Sequence, residues 1–316
     1  MSTQNRPVVV VAEQLQAPAM EYLQEHCEII EATPETAIDH IENADALVVR
    51  TYTQVNPALL EKATRLKVVA RAGVALENVD VRACWAKQIQ VVHTPAANTL
   101  AVVDYTMRMI IEMNRKFWAM PAYTKPEDFH KLRKNTFGRF LADCTLGIIG
   151  AGRIGSRVAK AAAGLGMTVL YNDILDIKFD FPAQAVSKEE LYKRADIITI
   201  HTPVTELTRK FINADTLSQT KPGVQFINAA RGHCVDYNAL GEFLDSGHVS
   251  AAVIDCHDPE PMPEDYPLWG RENVILTPHV AACVPKAKLN MSMVVKDVVA
   301  VLNGQAPQYP AVEGAF

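Results

Sequence analysis

The chain has 316 residues, 49% of them hydrophobic and 21% charged, so it is long enough for two cores and has an ordinary globular balance. A net charge of −5 offers no basic footprint for nucleic acid, and no run approaches the ~20 apolar residues of a membrane span. The six cysteines include no CxxC pair, so neither a zinc site nor a redox dithiol is signalled. The polar start and the short apolar run after it do not resemble a secretory leader. With the cysteines read as reduced thiols, a cytoplasmic location is expected.

Short β-branched runs at residues 8–12, 46–50, 67–70 and 90–93, with a weaker one at 28–30, alternate with helical stretches. Runs this evenly apolar suit parallel strands covered on both faces, and five of them predict a flavodoxin-like domain. A helix is expected over residues 99–117, capped by Asn98, whose side chain can accept from an unpaired first-turn amide. The stretch 121–143 is polar and partly basic and reads as a mobile or intersubunit arm. Six further strands follow at 145–149, 168–172, 197–201, 224–228, 251–255 and 274–277, the rhythm of a doubly wound sheet. Pro285 suits the first turn of one more helix and Gly304 its end, with Leu289, Met293, Val294, Val298 and Val301 on one face. The expected fold class is α/β, with two doubly wound parallel-sheet domains. A flavodoxin-like substrate domain takes residues 1–97 with 286–316, and a Rossmann domain takes 98–285. Two chain crossings would make a hinge around a cleft.

Gly150-Ala151-Gly152-Arg153-Ile154-Gly155 is a GxGxxG turn that follows a strand and opens a helical run, and Asp173 ends the next strand. That context is what a dinucleotide-binding turn requires. Gly150 permits the tight turn, and Gly152 lets backbone approach a pyrophosphate at the positive helix N-terminus. Gly155 lets the helix pack close to the strand. Asp173 would accept from the adenosine ribose hydroxyls. Its charge repels a 2′-phosphate and Ile174-Leu175 supplies no compensating cation, so NAD is the expected cofactor. Arg231, Glu260 and His279 each come just after a later strand. Ligands in open parallel sheets bind beyond the carboxyl ends of the strands, so a cation, a carboxylate and an imidazole should converge there. That set can bind a 2-oxo acid and move a proton on its oxygen. No metal is expected.

Along almost its whole length the chain resembles the D-2-hydroxyacid dehydrogenase family, and phosphoglycerate dehydrogenases in particular. Arg71-Ala72-Gly73-Val74-Ala75-Leu76-Glu77-Asn78-Val79-Asp80 is similar to the family's N-terminal substrate loop. Asn98-Thr99 followed by Ala101-Val102-Val103-Asp104 is similar to the start of its linking helix. His201-Thr202-Pro203 with Thr205 and Thr208 looks like its HxPxTxxT segment. Asn228-Ala229-Ala230-Arg231-Gly232 with Val235-Asp236 looks like NxARG…VD. Asp255-Cys256-His257-Asp258-Pro259-Glu260-Pro261 is similar to DVFxxEP, and Thr277-Pro278-His279 to TPH.

The resemblance implies an NAD-dependent enzyme interconverting (R)-2-hydroxy acids and 2-oxo acids. Arg231 would bind the carboxylate and polarise the 2-oxo group. His279 would donate the proton in reduction and accept it in oxidation, and Glu260 would orient His279 and favour its protonated form. Arg153, Ile154, His201, Thr202, Pro203, Thr208, Ala229 and His279 would border the cofactor, and Asp255 would hold its carboxamide. Gly73, Val74 and Asn98 would meet the substrate alongside Arg231. Arg50 and Arg71 match arginines that meet the phosphate of phosphoglycerate, which predicts a second anion on the substrate. His257 stands where the pattern has an aromatic and reads as packing, and Cys283 reads as a small wall residue. Ala75 and the segment 280–284 depart from the glycines of many relatives, which weakens any single substrate assignment. The chain stops at Phe316, so a short form without a regulatory domain is expected. A homodimer or homotetramer is implied, with no nucleic-acid or membrane partner. The alternatives are a glyoxylate/hydroxypyruvate reductase and an NADH-sensing corepressor on the same fold. Formate dehydrogenase is disfavoured, because Glu260 stands where those enzymes carry glutamine.

Overall fold

The apolar runs pair side by side as parallel strands. In the first unit β1 (Val8–Val11), β2 (Glu28–Glu31), β3 (Ala46–Val49), β4 (Val68–Arg71) and β5 (Gln90–Val92) lie in the order β2-β1-β3-β4-β5, the flavodoxin-like order. The helices α1 (Ala17–His26), α2 (Ala37–His40), α3 (Pro57–Lys62) and α4 (Val81–Ala86) connect them. The computed structural model describes residues 6–117, 125–135 and 137–312. Those up to Thr99 and from Ala282 form this unit, and Leu100–Ala281 form the second.

Alternation along each strand explains why the runs read as continuously apolar. Val10, Leu47, Val49, Val69 and Val91 pack into one core, while Val9, Val11, Ala46, Val48, Val68 and Val92 pack into another on the opposite face. Successive side chains point to opposite faces, so both sets must be hydrophobic when both faces are covered.

The second unit holds β6 (Thr145–Ile149), β7 (Thr168–Asn172), β8 (Gln184–Ala185), β9 (Ile197–Ile200), β10 (Val224–Asn228), β11 (Val249–Ile254) and β12 (Val274–Leu276). Their order is β12-β11-β10-β9-β6-β7-β8 with all pairs parallel, a doubly wound sheet extended by one strand. Its helices are α5 (Thr99–Asn114), α6 (Pro126–Asn135), α7 (Gly155–Gly164), α8 (Lys188–Arg194), α9 (Ala214–Ser218) and α10 (Tyr237–Asp245). The chain then returns to the first unit through α11 (Pro285–Ser292) and α12 (Val295–Leu302).

Some local expectations need correction. β8 has two residues, both exposed, and so carries no apolar run to read. The Asn98 cap on α5 is not made: its Oδ1 is buried without a hydrogen-bond partner. The single helix expected from Pro285 is two, broken at Met293-Val294. Ser292 Oγ donates to Lys288 O one turn back and accepts from Gln16 N, and such back-bonding bends helices. The stretch read as an arm contains α6, while 118–124 and residue 136 lie outside the described residues. Among the described residues no helix is long and apolar enough to cross a membrane.

Candidate active site

Strand register determines where the chemistry gathers. Ile149 of β6 pairs with Ile200 of β9, Ile200 with Asn228 of β10, Asn228 with Ile254 of β11, and Ile254 with Leu276 of β12. Five parallel strands therefore end level, and the residues just beyond them share one sheet edge. Gly150 comes after β6, His201 after β9, Arg231 shortly after β10, Asp255 and Glu260 after β11, and His279 after β12.

The glycine turn fits a dinucleotide. Gly150 sits at φ +91°, where side chains are strained. A Cβ on Gly155 would come within 2.0 Å of Gly150 O, so the helix start needs glycine for packing. Gly152 differs: a Cβ there meets nothing within 4 Å, so no protein contact asks for glycine at that position. The space suits a ligand that approaches the backbone at the start of α7. Asp173, at the end of β7, accepts from Ala151 N at 2.6 Å and from Leu175 N at 2.9 Å. Arg153 O holds Arg157 Nη1 at 2.6 Å, and Ile154 precedes α7. Beyond β9, His201 Nε2 lies 3.1 Å from Thr199 Oγ1, and its buried Nδ1 has no partner. Burial pushes this imidazole down to about 4, so it is neutral at physiological pH. Thr208 Oγ1 donates to Pro203 O at 2.7 Å and so braces its own loop, while Thr202 Oγ1 is 3.9 Å from Cys234 Sγ. Ala229 is buried.

His279 and Glu260 form a pair. His279 Nδ1 is 3.0 Å from Glu260 Oε2, and Glu260 Oε1 accepts from His257 N at 2.7 Å. Burial alone would raise the Glu260 carboxyl, but the His279 bond and the His257 amide hold it below its ordinary value. His279 is raised by contact with the Cys256 sulfur and with Glu260, against burial. Burial also holds the Cys256 thiol up, so this sulfur is uncharged at neutral pH and the carboxylate is what retains the histidine proton. Arg231, in the turn after β10, directs Nη1 to Ala230 O at 2.6 Å.

Four residues outside the trio hold these segments in place. Asn228 is fully buried. Its Oδ1 accepts from Ala230 N, and its Nδ2 donates to Arg231 O at 2.9 Å and to the Tyr237 hydroxyl at 3.3 Å. Tyr237 in turn donates to Cys256 O at 2.7 Å, which joins the Arg231 turn to the Glu260 loop. His257 does more than pack. Its Nε2 donates to Thr277 O at 2.9 Å, so its Nδ1 is left to accept from the Tyr266 hydroxyl at 3.1 Å. Tyr105 on α5 reaches Thr277 Oγ1 at 2.6 Å.

The Asp255 carboxylate is buried and held by two backbone amides and one hydroxyl of the protein. It is fully buried, and its oxygens accept from Thr277 Oγ1 at 2.6 Å, Val280 N at 2.8 Å and Ala281 N at 2.9 Å. These bonds clamp both sides of His279, which stands at φ +52°, a left-handed conformation rare outside glycine. The sequence marked Asp255 as a carboxamide holder; the structure gives its carboxylate three partners within the protein. No local pattern announces this network, because its members are brought together by different strands and a distant helix.

The remaining expected residues belong to the first unit. Arg50 Nη1 donates to Gln14 O, and the amides of Arg50, Thr51, Tyr52 and Thr53 all point at the Glu13 carboxylate. The Arg71 guanidinium lies against Gly73, where a Cβ would fall 1.4 Å from Nη1. Gly73 N donates to Arg71 O at 2.8 Å, so the amide of this residue, expected to meet the substrate, has a backbone partner. Val74 O is 2.7 Å from His93 Nδ1.

Comparison with known proteins adds to this geometry. Residues 107–281 match the model of the D-isomer specific 2-hydroxyacid dehydrogenase, NAD binding domain. The chain is 37% identical over 275 residues to a D-3-phosphoglycerate dehydrogenase of Bacillus subtilis, covering 86% of this chain and 52% of that protein. It is 36% identical over 250 residues to a hydroxypyruvate reductase of Thermotoga maritima, covering 78% and 81%. A D-lactate dehydrogenase of Aquifex aeolicus, solved with NAD and lactic acid, superposes with a TM-score of 0.79 at 28% identity, covering 94% and 96%. The chain thus spans about half the length of the phosphoglycerate dehydrogenase it matches. With its doubly wound sheet, its glycine turn and the family match across more than half its residues, the chain belongs to the D-isomer specific 2-hydroxyacid dehydrogenase family.

Proposed function

We propose that the chain interconverts (R)-2-hydroxy acids and 2-oxo acids with NAD, and that its substrate is phosphoglycerate-like. The observation that carries this reading is the His279–Glu260 hydrogen bond on the same sheet edge as Arg231 and the glycine turn. When bound, NAD supplies or takes up the hydride. Gly150, Gly152, Gly155 and Asp173 would hold it. Arg231 meets the carboxylate of the 2-oxo acid with a planar fork of donors. His279 is tied to Glu260 through Nδ1, so Nε2 is the nitrogen that exchanges a proton with the substrate oxygen. Activity on a panel of 2-oxo acids, with NADH and NADPH compared, tests the reading. NADH and a phosphate-bearing 2-oxo acid are expected to give the highest kcat/KM; equal or better use of NADPH would refute the role of Asp173. The Thermotoga relative, covered over 81% of its length, makes hydroxypyruvate the second substrate to test.

Glu260 tunes the pH dependence in this reading. Reduction needs protonated His279, whose proton is retained above its ordinary range. Activity in that direction is therefore retained as pH rises and is lost as pH passes the raised value. Glu260→Gln removes the carboxylate, so the alkaline limb for reduction should move to lower pH. A superimposable pH profile in the variant would break the link.

The assembly proposed is a homodimer or a tetramer of dimers. Leu100, Ile111, Phe117, Phe137 and Phe140 expose large apolar side chains, surface that a second copy can cover. Sedimentation should give a dimer or larger; an active monomer at micromolar concentration contradicts it. A cytoplasmic location suits cysteines that form no disulfide among the described residues, five of the six being buried, and cell fractionation checks it.

A further inference from the structure

Cys256 stands where the DVFxxEP pattern carries an apolar valine, and it puts a sulfur beside the pair just described. Its Sγ, a Glu260 carboxylate oxygen and a His279 ring nitrogen all lie within 4.8 Å of one another. Two of the three are already close, with His279 Nδ1 and Glu260 Oε2 at 3.0 Å. We propose that Cys256, Glu260 and His279 form a binding site for a thiophilic divalent cation of the zinc type, and that occupancy switches the enzyme off.

The donor set and the spacing both suit that ion. Zinc takes sulfur at about 2.3 Å, imidazole nitrogen at about 2.0–2.1 Å and carboxylate oxygen at about 2.0–2.2 Å, in a tetrahedron. Donor atoms on such a tetrahedron are about 3.3–3.7 Å apart, so within the observed 4.8 Å limit no pair has to close by more than about 1.5 Å. The three ligands leave a fourth position for water. Cys256 is buried, but the Glu260 and His279 side chains are 39% and 49% exposed and give the ion a way in. A thiolate and a carboxylate neutralise a divalent cation, and metal coordination deprotonates a thiol outright. Magnesium and calcium prefer all-oxygen sites and should not compete.

Bound metal in place of the Nδ1–Glu260 hydrogen bond leaves a ring that can no longer alternate between imidazolium and imidazole at Nε2, so reduction should be inhibited and a chelator should reverse it. The inhibition rests on the proposed role of His279; the coordination does not. The test therefore has two readouts. After removal of adventitious metal, the full chain is titrated with cobalt(II), and zinc inhibition of 2-oxo acid reduction is measured in parallel. The wild-type protein should develop a stoichiometric thiolate-to-cobalt charge-transfer band with strong visible bands, abolished by added zinc. Cys256→Val should fold and lose the band, with its zinc inhibition read against its own uninhibited rate. Its half-inhibiting zinc concentration should rise by more than the roughly 10–100-fold that loss of an outer-shell contact costs. Cys256→Ala serves the same purpose if valine disturbs the packing. Cys283→Ser, which removes the one exposed thiol among the described residues, should change neither readout. Absence of the band in the wild type, its survival in both Cys256 variants, or its loss in Cys283→Ser overturns the proposal. A chain that shows the band but reduces no 2-oxo acid would keep the metal site and sink the catalytic reading instead.

Discussion

Replacing His279 with Asn is expected to lower turnover by about 10²–10⁴-fold, the usual contribution of a general acid, while NADH binding stays near wild type. Asn is the suitable replacement because His279 is held at φ +52°, and Asn tolerates that region better than most residues. The Asp255 clamp on Val280 N and Ala281 N does not involve the imidazole, so the backbone should stay in place. What is lost is the nitrogen proposed to carry the proton, together with the partner of Glu260. Single-turnover reduction and NADH fluorescence titration separate the two effects. Full turnover in the variant would remove His279 from proton transfer.

Gly232→Ala should be the most damaging small substitution in the second unit. A Cβ there would lie 1.8 Å from His257 O, 2.1 Å from His257 C and 2.7 Å from Asp258 N, all backbone atoms that cannot swing aside. Either the Arg231 turn or the segment leading to Glu260 must move. The cost should reach or exceed the upper end of the ~1–3 kcal/mol typical of overpacking. A displacement of about 1 Å in catalytic groups can cost on the order of 10²-fold in rate, so activity should fall even where the protein survives. Gly152→Ala is the informative contrast. With nothing within 4 Å of its Cβ, it should melt like the wild type yet bind NADH weakly. Thermal melts and NADH titrations of both variants check this. A Gly232→Ala protein with wild-type stability and activity would refute the close approach, and tight NADH binding by Gly152→Ala would refute the use of that space.

The two glycines illustrate how differently a motif can be read. Gly152 could be read in the sequence as an expected cofactor position because its spacing from Gly150 and Gly155 belongs to a known physical device. Gly232 was legible only as part of a signature with Arg231. The reason for it lies in His257, a residue brought up by the neighbouring strand, and the spacing along the chain contains no trace of that contact. Asp255 is the same case in a stronger form. The family resemblance implied a carboxamide contact for it, whereas the structure gives its oxygens to Thr277, Val280 and Ala281.

Pattern along the chain was enough to settle the α/β class, the two sheets and the edge on which Arg231, Glu260 and His279 gather. Strand periodicity and strand order are local and near-local properties, and once parallel strands end level, residues just beyond them must share an edge. It took the folded chain to separate α11 from α12, to leave the Asn98 cap unmade, and to bring Tyr105, Asn228, Tyr237 and His257 together as braces of the site. Folding also brings a cysteine in a valine position within 4.8 Å of Glu260 and His279. Such contacts join residues far apart in the chain through the packing of whole elements. A side chain's partners there are set by register and burial rather than by its sequence neighbours.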